Sequence, residues 1–155
     1  MTSSKPYEQR TDLEKIQSQW NKLTGLHSRN ESSSAIVRAA TAAELAATFA
    51  IRKEFETKSQ FDKAFIDSLL IWANGIAGKM DRLLIPATKG TKRHKTITKL
   101  KATSESINKK RNAVAHQGEF CNPTEANEII DLSREFIETL VNIYDPNFVL
   151  KEKKR

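Results

Sequence analysis

Between Pro123 and Tyr144 one stripe of residues, Ala126, Ile129, Ile130, Ser133, Ile137, Leu140, Val141 and Tyr144, repeats at helical spacing. A period near 3.6 held over about six turns gathers apolar side chains on one helix face, whereas in a strand it would scatter them over two. The stretch carries its own start signal: Asn122 as cap, Pro123 at the first helical position and Glu125 three residues after the cap. Pro146 follows its far end. An amphipathic helix of this length needs other elements to cover its face, and the rest of the chain supplies more helices rather than strands.

Residues 7–29 repeat Leu13, Ile16, Trp20, Leu23 and Leu26 at helical spacing. Asn30 and Ser32-Ser33-Ser34 break that helix and can cap the next. The second helix, over about 33–57, sets Ile36, Ala40, Ala43, Ala47, Ala50 and Ile51 on one stripe, and so much alanine lets another helix approach closely. A third helix is predicted over 60–84. Phe61, Phe65, Leu69 and Trp72 begin its apolar face, and Ala73, Gly75, Ala77 and Gly78 continue it. Glycine costs about 1 kcal/mol in a helix relative to alanine, so this pair implies tight packing or a bend. Trp20 and Trp72 both lie on apolar stripes and read as core rather than as base-stacking platforms. Pro86 ends the third helix, and a basic loop, ATKGTKRHK, follows over 87–95. A fourth helix over about 96–114 is weakly amphipathic through Ile97, Leu100 and Ile107, with lysines opposite. No strand alternation of useful length, internal repeat or low-complexity segment appears, and five glycines and four prolines are too few for a turn-rich β protein. The expected fold is an all-α, single-domain bundle of about five helices over residues 1–149, with 150–155 a basic disordered tail.

Several function classes drop out. No apolar run approaches the roughly 20 residues of a membrane span, and MTSSKPYEQR has no signal-peptide stretch. One cysteine, Cys121, excludes an internal disulfide and a cysteine-rich zinc module; it reads as a small buried residue in a reducing compartment. The expected location is cytoplasmic, without membrane contact. There is no Walker loop, no GxGxxG after a strand and no Glu-x-x-His pair. His27, His94 and His116 sit in three different segments without ligand spacing, so no metal and no cofactor is expected.

Charge is unevenly placed. The 33 residues from Lys79 to Arg111 hold eleven basic and two acidic side chains, whereas Glu119 to Asp145 hold one basic and seven acidic. A basic block attracts a polyanion; it equally describes a solvated helix face matched to the acidic final helix. Lys92, Arg93, Lys95, Lys109 and Lys110 are the candidate RNA-contacting cations. The segment Lys109-Lys110-Arg111-Asn112-Ala113-Val114-Ala115-His116 holds the chemistry. Arg111 offers a planar fork for phosphate oxygens, and His116 supplies the imidazole, the side-chain type suited to proton transfer. RNA cleavage by the 2′-hydroxyl needs a base, an acid and a cation for the phosphorane, without a metal. On an ideal helix Arg111 and His116 stand about 140° apart, so the pair requires the helix to end between them or a second copy to complete the site. The structural alternative is an ion pair of Arg111 with Glu105 or the acidic helix, and His116 at a helix C-terminus.

RNAVAHQGEF followed by NPTEANEIIDLSREFIETL resembles the C-terminal half of the HEPN superfamily, whose hallmark is Arg, a polar residue, three variable residues and His. Arg111, Asn112 and His116 match it, over a span of about 107–140. The resemblance implies a metal-independent endoribonuclease working as a homodimer, in a toxin–antitoxin, phage-defence or RNA-processing setting. Arg111 and His116 would be catalytic, Asn112 would support them, and Glu44 would be a polar partner. A protein antitoxin or regulator is a further implied partner. One branch of the family has Tyr two residues after the His; here that residue is Gly118, which argues against neutralisation by tyrosine adenylylation. Two other readings are a non-catalytic RNA- or nucleotide-binding module and a helical protein-interaction adaptor.

Overall fold

The computed structural model describes residues 5–28, 31–58, 63–117 and 121–152. Among these residues there are six helices and no strand, one helix more than expected. We label them α1 (Asp12–Ser28), α2 (Ser32–Lys58), α3 (Lys63–Trp72), α4 (residues 76–87), α5 (His94–Gln117) and α6 (Pro123–Tyr144). The chain is an all-α helical domain.

α1 starts five residues later than the expected bound at residue 7. Thr11 Oγ1 accepts from the Glu14 amide at 3.1 Å, and Glu14 Oε1 accepts from the Thr11 amide at 3.0 Å. This reciprocal cap fixes the helix start, and Tyr7–Gln9 forms a separate 3-10 turn. Asn30, Phe61 and Gly118 lie outside the described residues.

α2 is the central helix, packed against α1, α6 and α5. Its alanines are buried on several sides: Ala35, Ala39, Ala42, Ala43, Ala46, Ala47 and Ala50 have no exposed surface. Methyl-sized side chains let three helices reach one axis without voids. Trp20, Ile16 and Leu23 from α1 and Phe136, Ile137 and Leu140 from α6 fill the two flanks. By length and composition Ser32–Glu56 is apolar enough to cross a membrane, contrary to the expectation that no such run exists; here 61% of that window is buried inside the fold.

The expected single helix over 60–84 is two. Gly75 takes φ +81°, a left-handed conformation that a side chain resists, and the chain turns there. The turn leaves Trp72 at the end of α3, 60% exposed, so Trp72 is not core; Trp20 is, at 1%. α4 begins as α-helix at Ile76–Gly78, widens into a π-turn over Lys79–Leu84 and closes as α-helix at Ile85–Ala87. Pro86 sits inside this last turn rather than ending the helix before it. Its ring would clash with a carbonyl four residues back in a regular helix, and the wider turn upstream relieves that. Of the expected tail over 150–155, residues 153–155 lie outside the described residues, and 150–152 are placed. Leu150 is buried, Lys151 exchanges two 2.9 Å hydrogen bonds with Gln17, and Glu152 pairs with Arg134, so residues 150–152 dock on α1 and α6.

Candidate functional site

α5 extends to Gln117, three residues past its expected end, so His116 is still helical. Along it Asn108, Asn112 and His116 follow one another at four-residue steps and share a face. The turn between α3 and α4 lies opposite this face, and α2 closes the floor. Together they enclose a cavity of about 280 Å³ lined by Thr41, Glu44, Asn74, Asn108, Arg111, Asn112 and His116 among others. Residues 75–78 form one wall, and a side chain added at Gly75 would face Asn108 across it.

Arg111 and His116 meet despite their angular separation. Arg111 Nη1 lies 3.0 Å from His116 Nε2 and donates to Asn112 Oδ1 at 3.3 Å. The long arginine side chain spans the rotation, so neither a helix break nor a second chain is needed to join the pair. A guanidinium only donates, so in this arrangement His116 Nε2 is the acceptor. Asn112 holds the same guanidinium nitrogen from the side.

Glu44 reaches the cavity from α2. Its Oε1 accepts from Lys79 Nζ at 2.7 Å and from the Gly75 amide at 3.3 Å. Lys79 is only 6% exposed, so its ammonium is buried with Glu44 as partner. Glu44 thereby pins the α3–α4 turn that forms the cavity wall. Among the described residues no group of three or more His, Cys, Asp or Glu side chains could hold a metal ion. Cys121 is buried.

The basic residues divide by helix geometry. Lys109 faces solvent, Lys110 turns to Glu125 on α6, and Arg111 enters the cavity. The hydrogen bond from Lys110 holds the Glu125 carboxyl below its usual range. Arg93 is not free for a ligand. It donates twice to Glu54, at 2.6 and 3.0 Å, and Glu54 is 1% exposed and also accepts from Tyr144 Oη at 2.7 Å. The Glu54 bond raises the Arg93 pKa above normal, and burial raises that of the Tyr144 phenol. Lys92 and Lys95 are exposed at the far end of α5. Lys95 and Arg111 are separated by about 24 Å of helix.

The structure thus brings Arg111, Asn112, His116 and Glu44 together and leaves Lys92, Arg93 and Lys95 at the other end. Asn108, Asn74 and Lys79 join the site unanticipated. Asn108 was findable, since it precedes Asn112 by one helical turn. Asn74 and Lys79 come in through the bend at Gly75, which glycine content suggested but could not aim. Compared with protein-family models, curated proteins and solved structures, the chain matches none.

Proposed function

We propose that this chain is a metal-independent endoribonuclease of the HEPN type, cutting RNA through Arg111 and His116. The observation that carries the reading is the solvent-exposed 3.0 Å Arg111–His116 contact, both partners of which line a cavity with Asn112 and Glu44. The resemblance over residues 107–140 supplies the substrate class.

A phosphodiester entering the cavity gives Arg111 a charged acceptor better than a neutral imidazole, since ion-assisted hydrogen bonds are roughly twice as strong. Arg111 then turns to the non-bridging oxygens and releases His116 Nε2. The freed nitrogen takes the proton of the ribose 2′-hydroxyl. The 2′-oxygen attacks phosphorus, the bond to the 5′-oxygen breaks, and that oxygen takes the proton held by the His116 imidazolium, which returns the imidazole to its neutral form. The products are a 2′,3′-cyclic phosphate and a 5′-hydroxyl. Arg111 compensates the extra negative charge of the phosphorane, and Asn112 keeps its fork in place. A homodimer belongs to this reading, because a second copy would bring a second Arg–His pair to the substrate.

The test is cleavage of mixed RNA in EDTA by wild type and H116A, with product ends mapped. Cyclic-phosphate ends from wild type alone support the reading. Equal cutting by both overturns it. RNA binding without products from wild type replaces it by a non-catalytic module using the same cavity.

A further inference from the structure

We propose that Trp72, with Arg82 against its ring, is a stacking platform for a nucleobase beside the phosphate cavity; that the ligand is RNA rests on the ribonuclease reading above. Three observations lead there. First, Trp72 is 60% exposed at the end of a helix whose buried face consists of Ile66 and Leu70, so the fold does not use the indole to fill its core. Second, Trp72 stands two residues before Asn74, and two residues of chain place their Cα atoms no more than about 7 Å apart. Asn74 to Gly78 form one wall of the cavity; the indole itself does not line it, and the chain from Trp72 to Asn74 is what sets the two side by side. Third, the guanidinium of Arg82 lies over the ring, 5.2 Å from its centroid, so a cation holds one face of the indole and stands close to any anionic ligand on the other.

Every base has a π face, so an exposed indole next to a phosphate site grips single-stranded RNA without reading its sequence. Trp72 would hold the nucleotide flanking the one whose phosphate meets Arg111. The platform then sets where along a strand the cut falls. An exposed indole beside Ile71, which is 79% exposed, could instead serve contact between protein chains; the neighbouring cavity and the cation at the ring favour a nucleotide.

The experiment uses a labelled single-stranded oligoribonucleotide with 2′-O-methyl groups throughout, which binds but cannot be cut by 2′-oxygen attack. It is titrated into wild type, W72A and W72F, with anisotropy giving Kd and indole fluorescence giving contact. Trp20 is shielded in the core, so quenching reports Trp72. The expected result is quenching in wild type, a Kd weakened about tenfold or more in W72A, and most of the affinity restored in W72F. Circular dichroism establishes that each variant keeps its helices.

Equal Kd values for wild type and W72A overturn the platform, as does a W72A chain that binds RNA normally but has lost self-association in gel filtration. The ribonuclease reading is judged separately on unmodified RNA. If His116→Ala abolishes cleavage while W72A binds normally, only the platform falls. If Trp72 is quenched and needed for binding but wild type does not cut, the platform stands and catalysis falls.

Discussion

Glu44 serves a buried ammonium and a backbone amide with one carboxylate oxygen. Replacing it by alanine leaves Lys79 buried without that partner and unties the Gly75 turn. Breaking a buried ion pair from one side costs more than removing both partners, because the remaining charge keeps its desolvation penalty. E44A should therefore lose about 2 kcal/mol or more in chemical denaturation, and E44A/K79M should recover part of that loss. A double variant no more stable than E44A would show that Lys79 does not depend on Glu44. The same residues show how far the letters carried. Glu44 was noticed through a family resemblance, while the ammonium that explains its place is 35 positions away and no local pattern links the two. The expectation that Arg111 and His116 meet only where the helix ends or a second copy completes the site does not hold, since they lie 3.0 Å apart on one continuous helix. Helical angle describes where Cβ atoms point, and it does not limit where the end of an arginine reaches.

Caps and bends at the level of elements were partly legible. The Asn122 cap was read directly and forms as expected, accepting from the Glu125 amide at 2.8 Å. The Glu125 carboxylate, however, leaves the cap for Lys110, a contact between helices that no start signal encodes. The Thr11–Glu14 box sets the start at Asp12, and the apolar stripe, which begins only at Leu13, never supported the helix from residue 7. Both glutamates contribute to the acid limb of stability. Backbone hydrogen bonding from Thr11 lowers Glu14, and the Lys110 hydrogen bond lowers Glu125, each from an ordinary value of 4.5. As pH falls past that value the unfolded chain takes up these protons first, so the stabilisation present above it is lost through the lower folded values. Asp12 acts oppositely: burial raises its pKa, so its protonation favours the folded state. Denaturation midpoints should fall between about pH 6 and about pH 3, and E14Q/E125Q should flatten the slope. An unchanged slope in that double variant would refute the assignment. The two glycines of the third predicted helix separate just as sharply. Gly75 has φ +81° and its added Cβ would find ordinary space, 3.8 Å from Asn108 Oδ1, so G75A should cost about 1–2 kcal/mol in strain alone. Gly78 has helical φ −62°, and a Cβ there meets Ala73 at a normal 3.5 Å. G78A should gain about 0.5–1 kcal/mol from helix propensity. Thermal melts of the two variants check the opposite signs.

Over the whole molecule, the helical class was readable because burial on one face imposes a period, which α6 obeys; α2 is buried on several sides and was readable from its run of alanines instead. The splitting of the third helix was not, since a left-handed residue inside an apolar pattern leaves that pattern intact. The basic block was readable as charge but not as function. The fold takes Arg93 for Glu54, binding the 88–93 turn to α2 and, through Tyr144, to α6. It takes Lys110 for Glu125 and Lys79 for Glu44. What stays in solvent is a stripe on α5, where exposed Lys95, Lys99 and Lys109 recur at helical spacing and run beside the cavity face toward His116. With exposed Lys92 at its start, this stripe is the track on which an RNA strand would lie under the proposed function. Its length sets the prediction. The roughly 24 Å from Lys95 to Arg111 corresponds to about seven nucleotides at a stacked spacing near 3.4 Å. Neutralising three cations in K92Q/K95Q/K99Q should lower the salt slope of log K by about 2 for a twelve-nucleotide strand. The same substitutions should leave a four-nucleotide strand, which cannot reach from the cavity to the loop, nearly unaffected. Melting temperature should hold in this variant, because its lysines stand in solvent, and should drop in R93A, which strips buried Glu54 of its bidentate partner. A salt slope that falls equally for both strand lengths would mean that RNA does not follow α5, and the basic block would then be the solvated face that its charge alone also allows.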